Sequence, residues 1–275
     1  EPLGGGGYGD VYRARNTQTG GIVAVKILKR ALSANPVNVE RFKSEARLAT
    51  SLSHPNIVRI IDLDEVNGDW FIVMDYLKGQ PLDKLLASGQ PLPFDRSISI
   101  LSGLAEGLDE AHQNGVLHRD LKSKNIIILD KDGLGVITDF GLARSLEKDN
   151  PTDTPTPTDG PRIGRGTPGF MAPEQIRNLP LSSASDRYGL GVVAYQMLTG
   201  HLPFTGSDFD VLAAHVQQPI PDPLLFNPAL PPGTRHVLTK MLAKDPSWRY
   251  SSAVEFVAAL KQARADESSR QAALE

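Results

Sequence analysis

At 275 residues, with 40% hydrophobic and 22% charged side chains, the chain has room for one large domain or two small lobes around a sizeable core. Lys and Arg (29) nearly balance Asp and Glu (32) without a dense run of either sign, which excludes the basic footprint of a nucleic-acid binder. No cysteine is present, so disulfides, thiolate metal sites and cysteine nucleophiles are excluded, and a reducing, cytoplasmic setting is the expectation. No apolar run reaches membrane-spanning length and no signal peptide precedes the first glycines, so a soluble fragment without membrane contact is expected.

The chain opens on E-P-L-G-G-G-G-Y-G-D-V-Y. Such glycine runs serve dinucleotide sites, NTPase phosphate loops and the glycine-rich lid over ATP, and the plain alternative is a floppy terminus. The surroundings discriminate. D-V-Y-R-A-R is extended, Asn16 to Gly21 is a turn cluster, and I-V-A-V-K-I-L (Ile22 to Leu28) is a β-branched strand, which together predict a hairpin. A dinucleotide fingerprint needs a helix opening at the glycines, and a phosphate loop needs Lys then Ser or Thr after the last glycine, whereas Asp10 follows Gly9. A glycine loop between antiparallel strands instead lets backbone N–H groups approach phosphates closely.

From Pro36 to Ser53, Val39, Phe42, Ala46, Ala49 and Leu52 recur at three- and four-residue steps and predict an amphipathic helix. N-I-V-R-I-I-D-L and D-W-F-I-V-M-D-Y-L read as two strands around a turn at Asn67 and Gly68. The pattern then turns helical: Ile98, Leu101, Leu104, Leu108 and Ala111 line one face of a long segment, and further helices are expected near Ser185, Asp208, Pro232 and Ser252. Between them P-T-D-T-P-T-P-T-D is a low-complexity tract expected to form an exposed loop.

Three motifs then stand in order: H-R-D-L-K-S-K-N (His118 to Asn125), D-F-G (Asp139 to Gly141) and A-P-E (Ala172 to Glu174). With the glycine lid and V-A-V-K, they make the chain resemble a protein kinase over essentially its whole length, most like the eukaryotic-like Ser/Thr kinases of bacteria. The resemblance implies an α+β, bilobal protein kinase fold, with a small antiparallel β-sheet lobe carrying one helix and a larger, mainly α-helical lobe. The expected boundaries are 1–74 for the small lobe, 75–264 for the hinge and large lobe, and 265–275 for a polar tail. The family's first strand starts several residues before the glycines, so this one is expected to be truncated, and the tail lies where a linker to other domains or a membrane span usually follows.

The implied chemistry is transfer of the γ-phosphoryl group of ATP, with Mg²⁺ or alternatively Mn²⁺, to protein Ser or Thr hydroxyls, which needs alignment and charge neutralisation rather than covalent help. By resemblance Lys26 holds the α- and β-phosphates and pairs with Glu45, which family spacing favours over Glu40. Asp120 orients the substrate hydroxyl and Lys122 stabilises charge at the γ-phosphate. Asn125 and Asp139 supply the hard oxygen ligands Mg²⁺ prefers. Leu3, Gly4, Gly6 and Gly9 form the lid, Val11 and Ala24 the roof over adenine, Ile127 the floor, Asp75 to Leu77 the hinge, and Met74 guards the pocket behind it. Asp186, and Glu174 with Arg249, match bracing positions.

Arg119 and Arg144 match positions that bind a phosphorylated activation segment. Thr152, Thr154, Thr156 and Thr158 lie in the Thr-Pro tract, while Thr167 matches a residue touching the catalytic Asp and Lys. Autophosphorylation within Thr154 to Thr158, Thr158 foremost, is expected, through a transient homodimer, although the family's usual acceptor lies closer to A-P-E, where Pro161 to Arg165 carries no hydroxyl. Two other readings are a pseudokinase scaffold, against which the intact Lys26, Asp120, Asn125 and Asp139 argue, and a small-molecule phosphotransferase, which would lack the complete A-P-E segment.

Overall fold

The extended segments of the first 75 residues build one antiparallel sheet. The computed structural model describes residues 1–5, 9–30, 36–140 and 167–272, without the side chains of 36–38, 41, 44, 45, 48 and 270–272. Strands β1 (Pro2–Gly5), β2 (Gly9–Arg15), β3 (Ile22–Leu28), β4 (Ile60–Val66) and β5 (Asp69–Asp75) lie in the spatial order β1-β2-β3-β5-β4. Every pairing is antiparallel. Side chains alternate across a strand, so Ala24, Lys26 and Leu28 of β3 share one face, and Ile72 and Met74 of β5 lie on it too. Helix α1 (Pro36–Thr50) covers that face with Phe42, Ala46 and Ala49, all buried. Each large apolar side chain buried there stabilises the lobe by roughly 1.5–3 kcal/mol. Lys26 is therefore carried on the inner face of the small lobe.

The sheet approaches itself closely at Gly9. A Cβ there would meet the carbonyl oxygen of Ile27 at 2.3 Å, so any other residue would push β2 off β3.

Past β5 the chain changes character. A second sheet, in the order β6 (Gly79–Pro81), β7 (Ile126–Leu129), β8 (Gly135–Ile137), underlies the cleft. Short helix α2 (Leu82–Leu85) leads to α3 (Phe94–Gln113), whose Ile98, Leu101, Leu104, Leu108 and Ala111 are all buried, as their spacing predicts. After α4 (Pro173–Ile176), helix α5 (Ser183–Thr199) runs through the centre of the large lobe, buried on every side, so it shows no apolar stripe. Ser182 caps its N-terminus and Gly200, in the left-handed conformation at φ 79°, ends it. Helix α7 (Thr234–Met241) packs on it, α6 (Asp208–Gln217) meets it where His215 touches Tyr188, and α8 (Ala253–Ala272) packs on α3 and α7. Helix α8 continues without a break across residues 264 and 265, so residues 265–272 of the expected tail extend the last helix.

One strand expectation shifts. Residues 56–58, read as the start of β4, pair with the second sheet: Val58 N donates to Ile137 O (2.9 Å), Ile137 N to Asn56 O (2.8 Å), and Asn56 Nδ2 to Gly135 O (2.7 Å). An apolar run cannot announce which sheet will take its backbone. Here it links the lobes.

Candidate active site

The site begins where β3 faces the turn after β8. Lys26 Nζ donates to Asp139 Oδ1 at 2.7 Å, joining two residues 113 positions apart. Burial alone would push the Asp139 carboxyl up, but Lys26 outweighs it through charge and hydrogen bond, aided by His118 and Lys122, so the group lies below its ordinary value and is ionised at neutral pH. Asp139 adopts the left-handed backbone region (φ 63°), which Asp tolerates better than most residues.

The loop before β7 carries the second group. Asp120 Oδ2 accepts from Lys122 Nζ at 2.6 Å, and the same ammonium donates to Thr167 Oγ1 at 2.8 Å. Lys122 thus bridges the loop to the segment before A-P-E. Asn125 donates through Nδ2 to the carbonyl of Asp120 (3.0 Å), which commits its NH₂ to the loop and leaves the amide oxygen as its ligand atom.

Arg119, immediately before Asp120, is held in the left-handed region at φ 66°, a conformation unfavourable for a long side chain. Both of its peptide groups are fixed: its N–H donates to Asp186 Oδ1 (2.6 Å) and its carbonyl accepts from Gln175 Nε2 (2.8 Å). Asp186 Oδ2 also accepts from His118 N (2.8 Å) and lies 2.9 Å from His112 Nε2. Burial raises the Asp186 carboxyl, and His112, His118 and the Arg119 amide more than reverse this. A Cβ at Gly189 on α5 would lie 3.0 Å from the Leu121 carbonyl oxygen, so glycine lets the helix approach this loop. His118, 1% exposed, bonds Thr138 O through Nε2 (2.9 Å) and packs on the Phe140 ring at 4.8 Å. Behind the loop Arg249 forms a two-point pair with Glu174 (2.7 and 2.8 Å) and donates to Ala184 O.

The residues expected at the nucleotide lie on both sheets. Val11 lies opposite Lys26, and Ala24 opposite Met74, in the sheet register; Ala24 and Met74 are buried with Val11 and Leu77 packed against them. Ile127 lies on β7 opposite Pro81 and Val136. Leu3 is exposed and a Cβ on Gly4 would meet nothing within 4 Å among the described residues. Behind Met74, Ala49, Leu52, Ile60 and Phe140 leave a cavity of only about 10 Å³. Gly6, Arg144, Thr154, Thr156 and Thr158 lie outside the described residues, as does the side chain of Glu45. Glu40, its rival, is exposed and pairs with Lys43 at 2.9 Å.

Among the described residues no three His, Cys, Asp or Glu side chains gather as a metal cage. One ionised carboxylate and one amide oxygen fit Mg²⁺, which keeps waters and takes substrate phosphates as further ligands. Reasoning from sequence did not single out Gln175, His112 or Thr138 for the loop, and only the H-R-D motif pointed to His118.

The two lobes and the charged groups meeting between them define a bilobal kinase. Residues 1–262 match the family described as the protein kinase domain, and the chain belongs to that family. It is 38% identical over 268 residues to the serine/threonine-protein kinase Pkn1 of Myxococcus xanthus, covering 96% of this chain and 38% of that protein. It is 36% identical over 262 residues to PrkC of Bacillus subtilis (95% and 39%) and 36% over 265 residues to PknH of Mycobacterium tuberculosis (96% and 41%). The chain thus spans about two fifths of the length of these curated relatives. Among solved structures, the kinase domain of Mycobacterium tuberculosis PknI is similar with a TM-score of 0.75 and 28% identity, covering 96% of this chain and 94% of that one.

Proposed function

We propose that this chain is the catalytic domain of a Ser/Thr protein kinase that transfers the γ-phosphoryl group of Mg-ATP to protein hydroxyls. The observation that carries it is a set of two ion pairs from three separate stretches of sequence, Lys26 with Asp139 (2.7 Å) and Lys122 with Asp120 (2.6 Å), with the Lys122 charge also helping to hold the Asp139 carboxyl ionised. Lys26 holds the α- and β-phosphates against the roof of Val11 and Ala24, under the lid of Leu3, Gly4, Gly6 and Gly9. Asp75 to Leu77 present peptide groups to the adenine edge, with Met74 behind and Ile127 below. Asp120 accepts the hydrogen bond of the acceptor hydroxyl and takes its proton as the oxygen attacks the γ-phosphorus, whose bond to the bridging oxygen of the β-phosphate breaks and leaves ADP. Lys122 offsets the charge that develops on the transferred group. Asn125 and Asp139 hold the divalent ion, Mg²⁺ or Mn²⁺, which when bound neutralises phosphate charge. Glu45 positions Lys26 from α1.

Residues 1–74 form the small lobe in this reading, 75–264 the hinge and large lobe, and 265–275 an appended tail. Arg119 and Arg144 receive a phosphate placed on the activation segment by a second copy of the chain, within Thr154 to Thr158, while Thr167 serves as a structural link to Lys122. Incubation with radiolabelled Mg-ATP, alone and with a generic basic protein, tests the proposal. Label on Ser or Thr of either protein is the expected result, and none in the presence of Mg²⁺ or Mn²⁺ would overturn it.

A further inference from the structure

Asp75 is the last residue of the first sheet, and Gly79 opens the second, so residues 76–78 are the connection between the lobes. Arg59 holds the chain at that exit. Its Nε donates to Asp75 Oδ2 (3.1 Å) and its second guanidinium nitrogen to Oδ1 (3.0 Å), a two-point pair, while its carbonyl accepts the Asp75 N–H at 3.0 Å. The register of β4 against β5 shifts between Ile60 and Asp62, directly beside this contact. Arg59 therefore takes over the end of β5 where the regular ladder is interrupted. The next residue is held from the other flank: the Arg13 guanidinium of β2 lies 5.4 Å from the centre of the Tyr76 ring.

The pair is too exposed to matter greatly for global stability, with Arg59 67% and Asp75 40% open to solvent. Its effect is directional. The two-point geometry leaves the planar guanidinium one way to meet the carboxylate, and the backbone bond ties the peptide of the same residue, so the path of the chain into 76–78 is set in advance.

We propose that Arg59 is a positioning residue for recognition of the nucleotide base. By holding the side chain and N–H of Asp75, it presents the remaining hinge peptide groups to the purine edge already in place, which lowers the ordering cost of binding. The inference rests on the reading of Asp75 to Leu77 as the adenine hinge. It assigns Arg59 no role at the phosphates, which the same reading gives to Lys26.

Binding of ATP and of inorganic tripolyphosphate to wild type and to Arg59→Met separates the two ends of the ligand. The expected result is an ATP dissociation constant raised about three- to five-fold, an unchanged tripolyphosphate constant, a KM for ATP raised with kcat unchanged, and a melting temperature close to wild type. Exchanging the partners, Arg59→Asp with Asp75→Arg, is expected to recover affinity that Arg59→Asp alone loses. Equal ATP affinity in wild type and Arg59→Met, an equal loss for both ligands, or no recovery in the exchanged pair overturns the proposal. A wild-type chain with no preference for ATP over tripolyphosphate refutes the hinge reading itself and the brace with it, whereas a wild-type preference that survives intact in Arg59→Met refutes the brace alone.

Discussion

Lys26 keeps the Asp139 carboxyl charged in a place that disfavours charge. Without the ammonium, burial would dominate at Asp139 and its carboxyl would rise toward the protonated form. Lys26→Met is therefore expected to remove a phosphate contact and weaken the metal ligand together, while the long apolar side chain replaces the packed stem of the lysine. Slow transfer and a raised metal requirement with a near-normal melting temperature are the expected readings; a collapse in melting temperature would make Lys26 a structural residue. Asp120→Asn tests a different step. Its carboxylate accepts from Lys122 at 2.6 Å and faces no phosphate in the proposed arrangement, so transfer should fall by on the order of 10² to 10⁴ with the nucleotide dissociation constant little changed. Wild-type turnover in this variant would remove Asp120 from its role.

At the scale of elements, the catalytic loop is held in place by the helix behind it. One carboxylate on α5 accepts from two successive loop amides, His118 and Arg119, and contacts His112 at the end of α3. An amide in its place turns one acceptor into a donor facing another donor, and an unsatisfied buried group costs about 1–3 kcal/mol. Asp186→Asn is thus expected to lower the melting temperature by several degrees and to reduce kcat, since Arg119 relaxes from its left-handed backbone and displaces Asp120. An unchanged kcat in a fully folded variant would show that the loop holds its own shape. Much of this arrangement was legible in the sequence where a local rule applied. The stripe from Ile98 to Ala111 follows a helical period, the strand carrying Lys26 is β-branched, and the motif residues announce their chemistry by type and order. Helix α5 left no stripe because it is buried all round, so only its approximate start could be read. Gln175 reaches Arg119 across 56 positions and His112 reaches Asp186 across 74. No local pattern encodes such contacts. Strands β6 and β7 were missed for a related reason, being three and four residues long and stabilised by pairing with one another and with β8.

Across the whole molecule, buried ionisable groups divide the acid side of the stability curve into two windows. Asp139 and Asp186 lie below their ordinary value of 3.8 and Glu174 below 4.5; burial raises each, and their partners more than compensate. A depressed carboxyl contributes stability that is present above the unfolded value and lost as pH falls through the folded one, so these three act only below about pH 4.5. His215 acts earlier. It is fully buried between α5 and α6, with the Tyr188 hydroxyl 2.7 Å from Nδ1 and the Gly169 backbone beside the ring favouring the charged form. Burial, then the charge of Lys244, lowers its pKa from 6.5 to about 4. Between these values the unfolded chain binds a proton that the folded chain refuses, so stability falls as pH drops from 6.5 toward 4. The full displacement is worth on the order of 3 kcal/mol. His215→Gln offers a polar replacement that does not titrate. It should melt lower than wild type at pH 7, because packing against Phe204 is disturbed, yet lose less of its own stability between pH 6.5 and pH 4.5. Melting curves at half-unit steps of pH measure both slopes. Parallel curves for the two proteins in that window would show that His215 takes up its proton in the folded state and contributes nothing to acid sensitivity, leaving the carboxylates alone to account for unfolding at lower pH.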